Sequence, residues 1–137
     1  MTDFKKQGKN NRAKGKRFEL KVRADLERKG WIVFRNSNDV TKPIETDIGE
    51  YERFFKQTTG HWNPFTRTIM MNSSGFPDFI GIVIGPNGSN QIEFFECKVN
   101  GKLDKIEKEK IEWIKNNLKI QVNIASKNGK EIKYEQQ

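Results

Sequence analysis

Residues 75–98, GFPDFIGIVIGPNGSNQIEFFECK, constrain the fold of this chain more than any other stretch. Two apolar runs, 79–84 and 92–95, flank the segment Gly85-Pro86-Asn87-Gly88-Ser89-Asn90. Gly, Pro and Asn supply the backbone angles a chain reversal needs, so the unit reads as a β-hairpin with a loop. Asp78 opens the first strand, and Glu96 and Lys98 close the second. In a hairpin the start of one strand lies beside the end of its partner, which brings these three groups together. Residues two apart on a strand share a face, so Glu96 and Lys98 project together and Cys97 points away.

Gathering two carboxylates and an ammonium at one end of an apolar hairpin costs desolvation energy, a cost normally offset by an ion or a reaction. Paired acids around a divalent cation, with a lysine nearby, suit phosphodiester hydrolysis, and a hard, oxygen-loving cation, magnesium first, is the one expected.

At these residues the chain resembles the PD-(D/E)xK nuclease superfamily. Pro77-Asp78 matches its PD element, and Glu96-Cys97-Lys98 matches its (D/E)xK element. An E-x-K triplet alone says little here, because others begin at Glu19, Glu27 and Glu131. Only the triplet at Glu96 ends an apolar strand that follows a Pro-Asp strand across a turn. The resemblance runs from about Gly15 to Ala125 and implies an α/β, restriction-endonuclease-like core. That core has the order α-β-β-β-α-β, with a central mixed sheet flanked by helices.

At 137 residues the chain is expected to form a single nuclease domain spanning 1–137. The 26 Lys and Arg outnumber the 18 Asp and Glu, giving a net charge of +8. Such a surplus fits an anionic partner, nucleic acid above all, or a lysine-rich solubilising surface. One cysteine and one histidine exclude an intrachain disulfide and a Cys- or His-rich zinc site. No apolar run approaches the ~20 residues of a membrane span. The N-terminus lacks the apolar core of a signal peptide, so a cytoplasmic, intracellular protein without membrane contact is expected.

Residues 1–17 carry Lys5, Lys6, Lys9, Arg12, Lys14, Lys16 and Arg17 against the single acid Asp3. They read as a mobile basic arm, either contacting phosphates or forming a soluble frayed terminus. Residues 16–29 read as a helix with Phe18, Val22 and Leu26 on one apolar stripe and Glu19 at its edge, ended by Gly30. Residues 31–35 form a short apolar strand. Helix, glycine and aromatic strand are similar to the opening of archaeal Holliday-junction resolvases, in which a first-helix glutamate joins the active site; Glu19 holds the matching position.

Residues 36–74 depart from the family's short link as an insertion of nearly forty residues. It carries Glu45, Asp47, Glu50 and Glu52 first, then aromatics interleaved with Arg and Lys. Those aromatics either stack on unpaired bases and wedge distorted DNA or give the insertion a small core of its own. Resolvase-like enzymes carry a serine near the loop before the PD strand, where Ser73 and Ser74 lie. After the turn Asn100-Gly101, residues 103–118 read as a helix with Leu103, Ile111, Ile114 and Leu118 on one face. Glu107 and Lys110 fall within that face, where VRR-type nucleases place a glutamine. Residues 119–125 read as a further strand and 131–134 as a short last one.

The resemblance implies a Mg²⁺-dependent endodeoxyribonuclease, with Mn²⁺ as a substitute. Asp78, Glu96 and the Cys97 carbonyl would ligate the ion, with Glu19 and Lys98 completing the catalytic set. Cys97's thiol is read as core packing. Lys14, Lys16, Arg17, Arg35, Arg67, Ser74 and Lys110 are the candidate nucleic-acid contacts. Branched or structured DNA such as a four-way junction is the expected substrate, and its two-fold symmetry implies a homodimer. A VRR- or restriction-like enzyme on other DNA, and a non-catalytic nucleic-acid-binding module of the same fold, stay open.

Overall fold

The computed structural model describes residues 4–58, 60–71 and 75–137. The chain begins with α1 (Phe4–Arg28). The described part of the basic segment is therefore helix from Phe4 on, where the sequence reading expects a mobile arm to Arg17 and a helix only from residue 16. Lys, Arg, Gln and Ala are good helix formers, and these first turns carry no apolar stripe that would announce them. The helix ends where expected. Gly30 takes a φ of 98°, a left-handed conformation that favours glycine, while Gly30 N donates to Glu27 O at 3.0 Å.

β1 (Ile32–Arg35) follows. The insertion then forms β2 (Asn38–Val40), β3 (Ile44–Glu45), β4 (Tyr51–Glu52), β5 (Phe55–Gln57), β6 (Gly60–Asn63) and β7 (Thr68–Met71). The core resumes with β8 (Phe79–Ile84), a 3₁₀ turn at Pro86–Gly88, β9 (Asn90–Cys97), α2 (Lys105–Asn117), β10 (Gln121–Asn128) and β11 (Glu131–Gln136). Five strands make one mixed sheet in the order β1-β8-β9-β10-β11. Only the β9–β10 pair is parallel, because α2 carries the chain across between them. No helix among the described residues is long and apolar enough to cross a membrane.

Alternation along the strands divides the core between the two faces of the sheet. Phe79, Phe95 and Ala125 pack under α1 through Phe18, Val22 and Leu26. Phe94, Val122 and Ile124 pack on the opposite face under α2 through Ile111 and Ile114. The fold is thus a mixed α/β sheet with one helix on each face. Each fully buried aliphatic side chain here contributes ~1.5–3 kcal/mol. Gly81, in the middle of β8, leaves room for an aromatic pair: a Cβ there would lie 2.7 Å from the Phe95 ring and 2.9 Å from Trp31. Those two rings meet edge to face at 5.2 Å.

The insertion is a set of ribbons outside the main sheet. β2 pairs with β5 and β3 with β4, one ribbon nested inside the other, and β6 pairs with β7 as a separate hairpin. Among the described residues, the insertion's aromatics build no core of their own. Phe55 stacks on Phe94 of the main core at 5.6 Å. Tyr51, Phe54, Trp62 and Phe65 stay exposed, Phe65 to 95%.

Candidate active site

Phe79 pairs with Phe95 across the β8–β9 hairpin, so one residue further out Asp78 stands opposite Glu96. Both acids are buried, at 8% and 5% exposure. Asp78 Oδ2 accepts the Cys97 amide at 2.8 Å, which fixes the carboxylate against the end of β9. Burial, then the neighbouring Asp78 carboxylate, push the Glu96 carboxyl up to about 11, and the opposing pull of Lys98 is too weak to bring it back. Glu96 thus keeps its proton when nothing else neutralises the site. Glu19 reaches the same place from α1: burial and the Asp78 charge raise it, while Arg35 and Lys16 draw it down. The Cys97 thiol is raised well above its ordinary value by burial and by the charges of Asp78, Glu96 and Glu19, so it stays protonated. It packs against the α1-side core, the packing role expected for it.

Asn36 holds the Pro-Asp element in place, and sequence reasoning missed it. Only 1% exposed, it donates through Nδ2 to Pro77 O at 2.7 Å and to Asn38 O at 3.0 Å. Its Oδ1 accepts from Asn38 N at 2.9 Å, and its amide donates to Asp78 O at 2.9 Å. Gly75 lies against the same bracket. A Cβ there would stand 2.5 Å from Asn38 N and 2.7 Å from the Ser37 carbonyl carbon, both backbone atoms with no freedom to move aside. An asparagine after an apolar strand reads as a turn residue, and its partner lies 41 residues on. No local signal marks it.

Lys98 pairs with Glu107 on α2. Burial lowers the Lys98 ammonium, but Glu107, then Glu96 and Asp104, outweigh it and hold the group above the ordinary lysine value. Lys98 is therefore a fixed cation rather than a base. Glu107 is itself positioned by the start of α2: its Oε1 accepts from Asp104 N at 3.0 Å, and its amide donates to Asp104 Oδ1 at 2.8 Å. This capping box stabilises the helix by ~1 kcal/mol and aims the carboxylate at Lys98.

The candidate nucleic-acid contacts divide into groups. Lys16 and Arg35 lie close enough to Glu19 to act on its charge. Lys14 and Arg17 line a separate cleft beside α1. Arg67 sits in the β6–β7 turn with a φ of 53°. Lys110 is engaged inside the protein, donating to Asp39 Oδ2 at 3.0 Å with its ammonium 5.5 Å from the Phe76 ring centre. Ser73 and Ser74 lie outside the described residues.

Among the described residues, no group of three or more His, Cys, Asp or Glu side chains is placed to hold a metal ion together. Magnesium does not need one, since it keeps several waters and takes one or two protein carboxylates. Asp78 and Glu96, buried and adjacent at the end of one hairpin, fit that requirement. Compared with protein-family models, curated proteins and solved structures, the chain matches none.

Proposed function

We propose that this chain is a divalent-metal-dependent DNA endonuclease of the PD-(D/E)xK kind, with a restriction-endonuclease-like core. The observation that carries this reading is the Asp78–Glu96 pair, buried at the end of one hairpin with Lys98 two residues beyond Glu96. Two adjacent buried acids are costly to keep for stability alone, and such pairs concentrate at functional sites.

Asp78 and Glu96 would hold Mg²⁺, or Mn²⁺ in its place, and the cation would supply the Lewis acidity that phosphodiester hydrolysis requires. Glu96, raised in the folded chain, would serve as a ligand in its ionised form. Lys98, kept cationic by Glu107, neutralises charge on the phosphate during in-line attack. Glu19 would add a third carboxylate from α1, near enough to Asp78 to feel its charge. Cys97 supplies its amide to Asp78 and no nucleophile.

Branched or locally unpaired DNA is the substrate this reading favours. The β6–β7 hairpin exposes Trp62 and Phe65, has no acidic residue between 60 and 71, and carries Arg67 at its turn. Exposed aromatics beside a cation are suited to stacking on unpaired bases. A four-way junction would be met by a homodimer.

The test is cleavage of junction, flap, duplex and single-stranded DNA in Mg²⁺ and in EDTA. Wild-type protein is expected to cut a branched substrate only with the metal. Asp78→Asn is expected to bind DNA while cutting at least ~10²-fold more slowly. Metal-independent cutting, or wild-type rates from Asp78→Asn, would remove the assignment, and binding without any cutting would leave a non-catalytic module.

A further inference from the structure

A second basic feature lies beside the carboxylates. A cleft of about 560 Å³ runs between α1 and the β10–β11 turn. Lys14, Arg17 and Lys21 form one wall, spaced at i, i+3 and i+7 and so on one helix face. Lys127 and Lys130 form the other, on either side of the Asn128-Gly129 turn. Among the described residues none of the five makes a salt bridge. Glu131 is the one acid in the lining. Five cations facing one another across a gap repel, and an anion lying between them relieves that repulsion.

The floor is apolar, formed by Ile132 and the exposed Val99 over the edge of the buried Phe18. The cleft is separate from the candidate active site but joined to it through neighbouring residues of the chain. Phe18 precedes Glu19, Val99 follows Lys98, and Lys127 N donates to Val99 O at 3.1 Å. Its volume falls in the ~300–1,000 Å³ range that takes a ligand of drug-like size. A nucleotide or two of one strand enter such a space; a duplex does not.

We propose that this cleft is a single-strand channel: the lysines and Arg17 track the phosphates of a strand passing the carboxylates, and the bases rest on the apolar floor. Basic walls with an apolar, aromatic floor are the means by which single strands are held without reading sequence. The proposal takes its purpose from the nuclease reading and narrows the substrate to DNA with an unpaired arm at the cleavage point. Lys21, Lys127 and Lys130 join Lys14 and Arg17 in contacting it.

The experiment is fluorescence anisotropy in EDTA on the full chain, wild type against Lys127→Gln/Lys130→Gln, with a labelled oligothymidine and a blunt duplex of equal length. Both positions are exposed, so the variant is expected to fold, which circular dichroism checks. The expected result is at least a ~10-fold weaker oligothymidine complex, a log K versus log salt slope shallower by about 1.4, and duplex affinity within about twofold of wild type; two lost single-strand contacts at ~0.7 each give that slope change. Unchanged oligothymidine binding, or equal losses on both DNAs, would overturn the channel. Nothing is cut in EDTA, so this outcome is independent of catalysis. A wild-type protein that never cuts in Mg²⁺ would defeat the nuclease reading and leave the binding result standing.

Discussion

Glu96 is the side chain whose chemistry is furthest from ordinary. Free in water such a group ionises at 4.5, and in the fold it holds its proton to about 11. Below pH 4.5 both folded and unfolded chains carry that proton, and the stability linked to it is fully present. As pH rises from 4.5 toward 11 the unfolded chain has lost the proton and the folded chain has not, so stability falls. In EDTA, wild-type stability is therefore expected to decline between about pH 6 and 9 by up to ~1.4 kcal/mol per pH unit from this residue. Glu96→Gln keeps a neutral donor toward Asp78 and is expected to lack that component, which thermal melts of the two proteins across this range would measure. Parallel pH profiles would mean that Glu96 is ionised in the fold. Asp78, Glu96 and Lys98 were legible in the sequence because strand alternation and a turn place them without any long-range information. Asn36 was not, since its role depends on Pro77 and Asp78, distant along the chain. Glu107 was half legible: the helix period put it on the inner face beside Lys110, and only the fold shows that Glu107 meets Lys98 and Lys110 meets Asp39.

At the scale of elements, the site depends on how the segment before β8 is tied to the end of β1. Asn36 provides the tie, bonding backbone groups on both sides. Asn36→Ala leaves Pro77 O and Asn38 N without these partners, at ~1–3 kcal/mol for each buried group left unpaired. A loss of ~2–4 kcal/mol in urea unfolding is expected, and a loss under ~0.5 kcal/mol would show that the bracket does not hold the segment. The β8–β9 hairpin was readable because its turn residues and apolar runs agree on one structure. The ribbons β2 to β7 were not. Strands of two to four residues that pair only with each other are too short to show a periodic pattern. The early start of α1 escaped for a related reason: residues 4–15 carry no apolar stripe in their sequence, so hydrophobic periodicity is silent where propensity acts alone.

At the scale of the molecule, the order helix, strand, hairpin, helix, strand was legible because each core element carries its own apolar pattern. The two-faced core follows from Phe94 and Phe95 pointing to opposite sides. The cleft was not legible as a unit, because its walls come from opposite ends of the chain. The carboxylates share this dependence on the whole fold: Glu19 comes from α1, Asp78 from the start of β8 and Glu96 from the end of β9, and only the assembled sheet brings them together. Cation binding without DNA therefore tests the central claim most directly. Mn²⁺ titrations followed by electron paramagnetic resonance, on wild type, Asp78→Asn and Glu96→Gln at about pH 6, 7 and 8, are the measurement. Wild-type affinity is expected to rise with pH by up to ~10-fold per unit, because the cation displaces the Glu96 proton, and each variant is expected to bind at least ~10-fold more weakly. Equal Mn²⁺ binding by all three proteins, with no dependence on pH, would contradict the account.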